Sequence, residues 1–521
     1  MTSILWDSRF LNEFKQELHH DPSIQFWEED VNGDVMDFKP SHYKKMLMVF
    51  LPALGVKNLQ LGTTDKGRPT STLVFTRGNR VEQIDPQTLK QVCFRLFNLM
   101  GERGTQIRKN FYKEKVFNKD ELSLIPDLEG KKVFKDNVLS AYRFFQNGFV
   151  EITRNGVSPL KSYDEIPEDY VIWNSSVIPK DYEDTITKEV LEHKLSNIIA
   201  NGIHPETGDL IYQKNDRVKL YQEFKDKVES FEGENPDTHF KDFVENLSRD
   251  EEGDIDKNCL ERLEIAIGYL CHRYNTANKR QYVLLVDRFY DGVEKDVANG
   301  GNGKSLLINT LGTLMNLTIL NGKEIKKNSS SFKLAEVTTA TEIVHFDDAH
   351  SKFDGDRLNP LVTGNFHIER KYENPFSIPS QDAPKIAITS NFPIEGKGNT
   401  YKRRQFICEV GHYYRLQDEN FGLTPRELHG CKDFPLPNQI NTEGEPFSWD
   451  KDDWNEFYRY VFRCIQKYLT NGLPSGGESY YYNRAKIVQE IGSEEVTTYL
   501  IDKIQTLEIG KEYFNEEIYK D

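Results

Sequence analysis

Ala298-Asn299-Gly300-Gly301-Asn302-Gly303-Lys304-Ser305, running into the apolar Leu306-Leu307-Ile308, is the stretch on which the reading of this chain turns. Glycine has no Cβ, so three of them let the backbone bend sharply and aim several N–H groups at one point. A chain of phosphates fits such a point, and a helix starting at Ser305 adds the positive end of its dipole. In that setting the Lys304 ammonium reaches the outer phosphates of ATP and the Ser305 hydroxyl holds Mg²⁺. Asn299, Gly300, Gly301, Asn302, Gly303 and Leu306 complete the cradle. Ala298 stands where the G-x-x-x-x-G-K-[ST] pattern has its first glycine. The plainer reading is a glycine-rich turn before an ordinary helix. The apolar run Tyr282-Val283-Leu284-Leu285-Val286 weighs against it, although the polar segment Asp287 to Asp296 separates that run from the loop.

Working outward, Ile343-Val344-His345-Phe346 reads as a buried strand ending in Asp347-Asp348. An ATPase needs such a pair, one carboxylate in the magnesium shell and one to orient or deprotonate the attacking water. Alone, two acids after an apolar run mean little, because loops often begin this way. Lys385-Ile386-Ala387-Ile388-Thr389-Ser390-Asn391 is a further strand whose terminal Asn391 is placed to hold a water, or simply to start the turn at Phe392-Pro393. Lys402-Arg403-Arg404 precedes the strand-like Gln405 to Val410, and a guanidinium there can complete a neighbour's ATP site. A solvated basic cluster is the alternative.

Taken in order, these elements resemble the superfamily 3 helicases, the replicative motors of small DNA viruses, poxviruses, phages and mobile elements. The resemblance covers about residues 282–410. Gly303, Lys304 and Ser305 match Walker A, Asp347 with Asp348 matches Walker B, Asn391 matches the sensor asparagine of motif C, and Arg404, or else Arg403, matches the arginine finger. Between Walker B and motif C lies Thr363-Gly364-Asn365-Phe366-His367-Ile368-Glu369-Arg370-Lys371-Tyr372-Glu373-Asn374-Pro375-Phe376, in which Gly364 and Lys371 match the glycine and lysine of the family's DNA-gripping hairpin. Arg370 and Lys371 would contact phosphate there, and Tyr372 would stack on a base or sugar. The resemblance implies a P-loop, AAA+-like motor, a ring of six subunits, 3′ to 5′ translocation and a role in genome replication.

The fold class expected is α/β: that motor domain with a largely parallel sheet at 279–415, preceded by a helical collar at 206–278 and a small α/β N-terminal domain at 1–150. Residues 151–205, dotted with Pro and Asp, read as a connector, and 416–521 as loop-rich, then helical. Leu220, Phe224, Val228 and Phe231, then Phe240, Phe243, Val244 and Leu247, then Leu260, Leu263, Ile267 and Leu270 recur at helical spacing, as do Trp454, Phe457, Tyr458, Val461, Ile465 and Tyr468. The N-terminal part shows no D-x-D after a strand, since Asp34 and Asp37 are spaced wrongly, so no primase activity is expected.

The bulk numbers set the outer bounds. At 37% hydrophobic and 12% aromatic, the 521 residues hold too much core material for a disordered chain. No run approaches the roughly 18 apolar residues of a membrane span, and Met-Thr-Ser-Ile-Leu-Trp-Asp is not a secretory signal. Six cysteines without a C-x-x-C pair suit a reduced compartment and no structural zinc; Cys271-His272 has no partners at ligand spacing. The expected location is the cytoplasm, that of the bacterial host for a phage or mobile element. With 67 basic and 83 acidic residues the net charge is −16, which argues against coating nucleic acid but not against threading a strand through a small basic channel. The expected partners are single-stranded and forked DNA, further copies of the chain in a hexamer, and other replication proteins, with no membrane. Two competing readings are a replication initiator or DNA-binding scaffold that does not unwind processively, and a packaging or protein-remodelling motor.

Overall fold

Apolar strands alternating with helical segments in the second half of the chain build a five-stranded, all-parallel sheet. It comprises β1 (Tyr282–Asp287), β2 (Leu317–Asn321), β3 (Ile343–Ala349), β4 (Lys385–Ser390) and β5 (Gln405–Val410). The computed structural model describes residues 8–63, 69–111, 117–183, 195–196, 198, 211, 213–229, 239–276, 280–288, 301–324, 334–368, 376–394, 396, 398–416, 449, 451–474 and 480–505. The chain divides into two units, one of residues 1–135, 142–150 and 160–182, the other of 136–141, 151–159 and 183–521.

In the second unit the strand order is β2-β3-β4-β1-β5. Every residue of β1 and β4 is buried, which is why these strands read as unbroken apolar runs rather than alternating ones. Parallel strands put all their carboxyl ends on one edge. The sequential order of neighbours breaks beside β1, between β4 and β5, and such a switch point opens a crevice at that edge.

Helices α1 (His239–Leu247) and α2 (Lys257–Leu270) form where periodicity predicts them. They do not stand as a separate collar. α2 lies on β5, with Arg262 Nε and Nη2 donating to the Ile407 carbonyl at 3.1 and 2.6 Å. The late amphipathic stretch becomes the helix Lys451–Asn471, ended at Gly472 with φ +68°. It joins the same layer: a Cβ on Gly268 would sit 2.0 Å from the Cys464 carbonyl oxygen, so only glycine lets these two helices cross so closely. Phe240 meets Phe457 edge-on at 4.8 Å. The segments before and after the sheet thus form one helical layer, which no local pattern announces. The helix Lys214–Glu229 is also present, but the side chains of Phe224 and Val228, and Phe231 entirely, lie outside the described residues.

The first unit is mixed α/β, as its sequence suggests. Its sheet orders Val56–Thr63, Pro69–Arg77, Arg80–Gln83, Tyr170–Trp173 and Lys132–Val133, around a core rich in aromatics such as Phe14, Phe26, Phe50 and Phe97. Tyr170–Trp173 falls in the stretch expected to be a connector. It pairs in parallel with Arg80–Val81 and with Lys132–Val133, so that stretch contributes an interior strand. Among the described residues no helix is long and apolar enough to cross a membrane.

Candidate active site

Two short bulges of polarity at the carboxyl edge of the sheet assemble the site. β1 ends in Asp287, and the described chain resumes at Gly301. Gly301 and Gly303 have φ of +107° and +89°, the left-handed region that glycine reaches without strain. The tight turn expected from the glycines is therefore present. Helix α3 begins at Lys304, one residue earlier than expected, and runs to Leu311.

Lys304 is 6% exposed and its ammonium pairs with the Asp287 carboxylate. Asn302, 1% exposed, donates from Nδ2 to the same Asp287 oxygen at 2.7 Å. A carboxylate at the end of β1 thus takes the two donors that the sequence reading gives to a phosphate. The Asn302 side chain thereby ties the loop to the end of β1.

β3 carries the acids. Phe346 pairs with Ile388 and Ala349 with Ser390, so Asp347 and Asp348 together face the single residue Thr389 of β4. This bulge turns both acids toward the carboxyl edge. Asp348 has φ +52°, the one positive value of a non-glycine among the described residues, in a region Asp tolerates better than most. Its side chain pairs with Lys323 in the turn after β2. Gly322 makes that turn possible, because a Cβ there would come within 2.7 Å of the Asp347 carbonyl oxygen.

Asp347 Oδ1 accepts from Ser305 Oγ at 2.5 Å and from Thr389 Oγ1 at 2.8 Å. Burial would raise its pKa, but these two hydrogen bonds, the neighbouring His345 and the Asp348 N–H hold it below the usual carboxylate range. Thr389 Oγ1 also accepts from Asp348 N at 3.1 Å, and His345 Nε2 lies 3.1 Å from it. The single Thr389 proton goes to the carboxylate, which can only accept, so His345 must donate from Nε2. Its Nδ1 then lies 3.1 Å from Asn309 Oδ1 of α3, and for a ring with its one proton on Nε2 this contact is a hydrogen bond only when the Asn309 amide turns its Nδ2 to the ring. Burial pushes the His345 pKa down to about 4, so the ring is neutral at physiological pH.

The fold therefore brings Gly303, Lys304, Ser305, Asp347 and Asp348 to one edge. Leu306 follows in α3, half-buried, and Asn391 comes directly after Ser390 at the same edge of β4. Arg403 and Arg404 are elsewhere. They close the helix Gly398–Arg404, and Gln405 after them pairs with Tyr282 at the amino end of β1. Five residues of strand separate that point from Asp287, or roughly 16 Å. They cannot reach the loop of their own chain. Asn299 and Gly300 of the loop lie outside the described residues, as does Ala298. So do Arg370, Lys371 and Tyr372, although the strands that flank them pair antiparallel, Phe366–Ile368 with Phe376–Ile378. Sequence reasoning missed Asp287, His345 and Thr389. Each is a polar residue in or ending an otherwise apolar strand, and that interruption was the available signal.

Chemically, a buried ammonium beside a glycine turn and two hard oxygen donors in mutual contact suit a polyphosphate with its divalent cation. A model described as a family of unknown function, DUF5906, matches residues 297–404, which span the loop, the acids and the arginines. No curated protein matches the chain. Among solved structures, the apo structure of the NrS-1 C-terminal region (305–718) is similar at 12% identity and a TM-score of 0.35, covering 88% of this chain and 77% of that one. The A form of the same region gives 12%, 0.35, 88% and 78%. Likeness at this level assigns no role to any residue.

Proposed function

We propose that this chain is an ATP-driven DNA motor of the P-loop, AAA+-like kind, a helicase that works as a ring on single-stranded DNA during replication of a phage, viral or mobile-element genome. The observation that carries the reading is the meeting of Ser305 with Asp347 beside the buried Lys304, three residues from two sequence motifs that share no local reason to converge. Mg·ATP, when bound, supplies the phosphoryl group and a cation that offsets developing charge. The chain's own groups do the rest. Lys304 exchanges Asp287 for phosphate oxygens. Ser305 Oγ and Asp347 offer the cation hard oxygen ligands, and Thr389 fixes the carboxylate through its Oδ1. Asp348 and Asn391 orient the attacking water.

The distance of Arg403 and Arg404 from their own loop favours service to a neighbouring subunit's nucleotide, which a ring provides. The antiparallel strands Phe366–Ile368 and Phe376–Ile378 support a hairpin that presents Arg370, Lys371 and Tyr372 to DNA. A forked-DNA unwinding assay with ATP and magnesium, run beside a native mass measurement, tests the reading. Strand separation that needs the nucleotide and is lost in Lys304→Ala is expected. A Lys304→Ala protein that hydrolyses ATP at the parent rate would overturn the motor altogether.

A further inference from the structure

Arg280 stands just before β1, on the amino edge of the sheet, and is 4% exposed. Its guanidinium is a two-pronged clamp. Nη1 donates to the Ser380 carbonyl at 2.7 Å and Nη2 to the Gly364 carbonyl at 2.6 Å. Gly364 and Ser380 flank the two hairpin strands, one before Phe366–Ile368 and one after Phe376–Ile378. Asn365 Oδ1 closes the same root by accepting from Ser380 N at 2.9 Å. One side chain therefore spans the chain just before the first paired strand and just after the second.

The main chain beside it faces the other way. The Arg280 carbonyl accepts from Arg404 Nη1 at 3.4 Å. Gln281 Nε2 donates to the Arg403 carbonyl at 2.9 Å and to the Gln405 carbonyl at 3.3 Å. Two consecutive residues thus tie the arginine pair to the hairpin root through one peptide unit. On the hairpin side of that peptide the path runs through one buried side chain, that of Arg280. Among the described residues Arg280 Nε is buried without a hydrogen-bond partner, so the fork is oriented by its two Nη bonds. Burial lowers its pKa, Tyr269 opposes that shift and the charge of Arg404 adds to it, so the two carbonyl bonds meet a guanidinium already taken out of water.

We infer that Arg280 is a positioning residue that couples the Arg403–Arg404 edge to the hairpin, so that a phosphate engaged by those arginines changes how the hairpin is held. The inference rests on the motor reading above, with Arg404 serving a neighbour's nucleotide and the hairpin gripping DNA. A lysine at 280 keeps the charge but, as a point donor on a shorter stem, cannot span both carbonyls.

The test is ATP hydrolysis by the full chain with and without single-stranded DNA, in the parent, Arg280→Lys and Gln281→Ala. The parent is expected to be stimulated by DNA. Arg280→Lys should keep its DNA-free rate within about twofold while the stimulation falls close to one and unwinding drops at least about tenfold. Gln281→Ala, which cuts the link to residues 403 and 405 on a less buried side chain, should lose about half the stimulation or more. It carries the test by itself if Arg280→Lys does not fold. Stimulation at the parent ratio in Gln281→Ala and in any folded Arg280→Lys overturns the coupling role. So does an equal loss with and without DNA, the mark of a merely structural residue. A parent protein without DNA-stimulated hydrolysis would instead remove the motor reading, and the two failures are told apart by the parent alone.

Discussion

The two edges of the parallel sheet handle positive charge in opposite ways. At the carboxyl edge the cations are matched to carboxylates, Lys304 to Asp287 and Lys323 to Asp348. At the amino edge beneath β1 and β5, Arg280 and Arg404 are held by main-chain carbonyls and, among the described residues, by no carboxylate. Arg273 with Glu342, at the foot of β3, is an exception there. A carboxylate cancels the charge it binds, so a ligand at the first edge must displace it. A carbonyl positions a guanidinium without cancelling it, so the second edge stays attractive to an anion from outside. In the proposed ring each subunit would present one edge of each kind.

The largest effect should come from removing the one carboxylate on which both hydroxyls converge. Asp347→Asn keeps the volume but removes the charge that Ser305 and Thr389 orient. Hydrolysis should fall by about 10² or more, while binding of a fluorescent ATP analogue persists. Phosphate release measured under saturating nucleotide decides it, and a rate close to the parent's would mean that Asp347 is only structural.

Next comes the pairing itself. Asp287→Asn leaves the Lys304 ammonium, 6% exposed, without its counter-charge. Breaking a buried pair from one side costs about 3 kcal/mol in a nucleotide-free denaturant melt. A non-hydrolysable analogue should recover more stability in this variant than in the parent, because phosphate replaces the missing carboxylate. Coincident melts of variant and parent would show that the carboxyl edge does not depend on charge pairing, and the contrast between the edges would fall with it.

Much of this was legible from local pattern. β1, β3 and β4 are buried on both faces, so their apolar runs stand out, and the glycines of the loop announce the turn at 301–303. What was not legible depends on register and on distance along the chain. Thr389 matters only because a bulge sets two acids opposite it. Asp287 matters only because the chain brings Lys304 back to the end of β1. Nothing near Gly268 reveals that a helix two hundred residues later will cross it. The same holds for Tyr170–Trp173, whose partners Arg80–Val81 lie ninety residues upstream, so it reads as a connector until the sheet is seen.

A smaller effect should follow from Thr389→Val. The two side chains have nearly the same shape, but valine removes an acceptor from Asp348 N–H and His345 Nε2 and a donor from Asp347. Leaving buried donors unmatched costs about 2 kcal/mol, and calorimetry beside Thr389→Ser, which restores the hydroxyl, isolates that cost from packing. If the serine variant were no more stable than valine, the hydroxyl would have no part in the network.

The smallest effect sharpens the comparison most, because it holds the chemistry fixed and changes only burial. Lys323 with Asp348 is the same lysine–aspartate pair as Lys304 with Asp287, on the same edge, yet its side chains are 57% and 50% exposed against 6% and 10%. Water already solvates both charges, so their attraction is screened and holding two side chains together costs entropy. Lys323→Ala should therefore leave the melting temperature within the scatter of replicate scans at both low and high salt. A clear loss of stability that vanishes with added salt would mean that the turn after β2 depends on this pair. The carboxyl edge would then be organised by its exposed charges as well as by its buried ones.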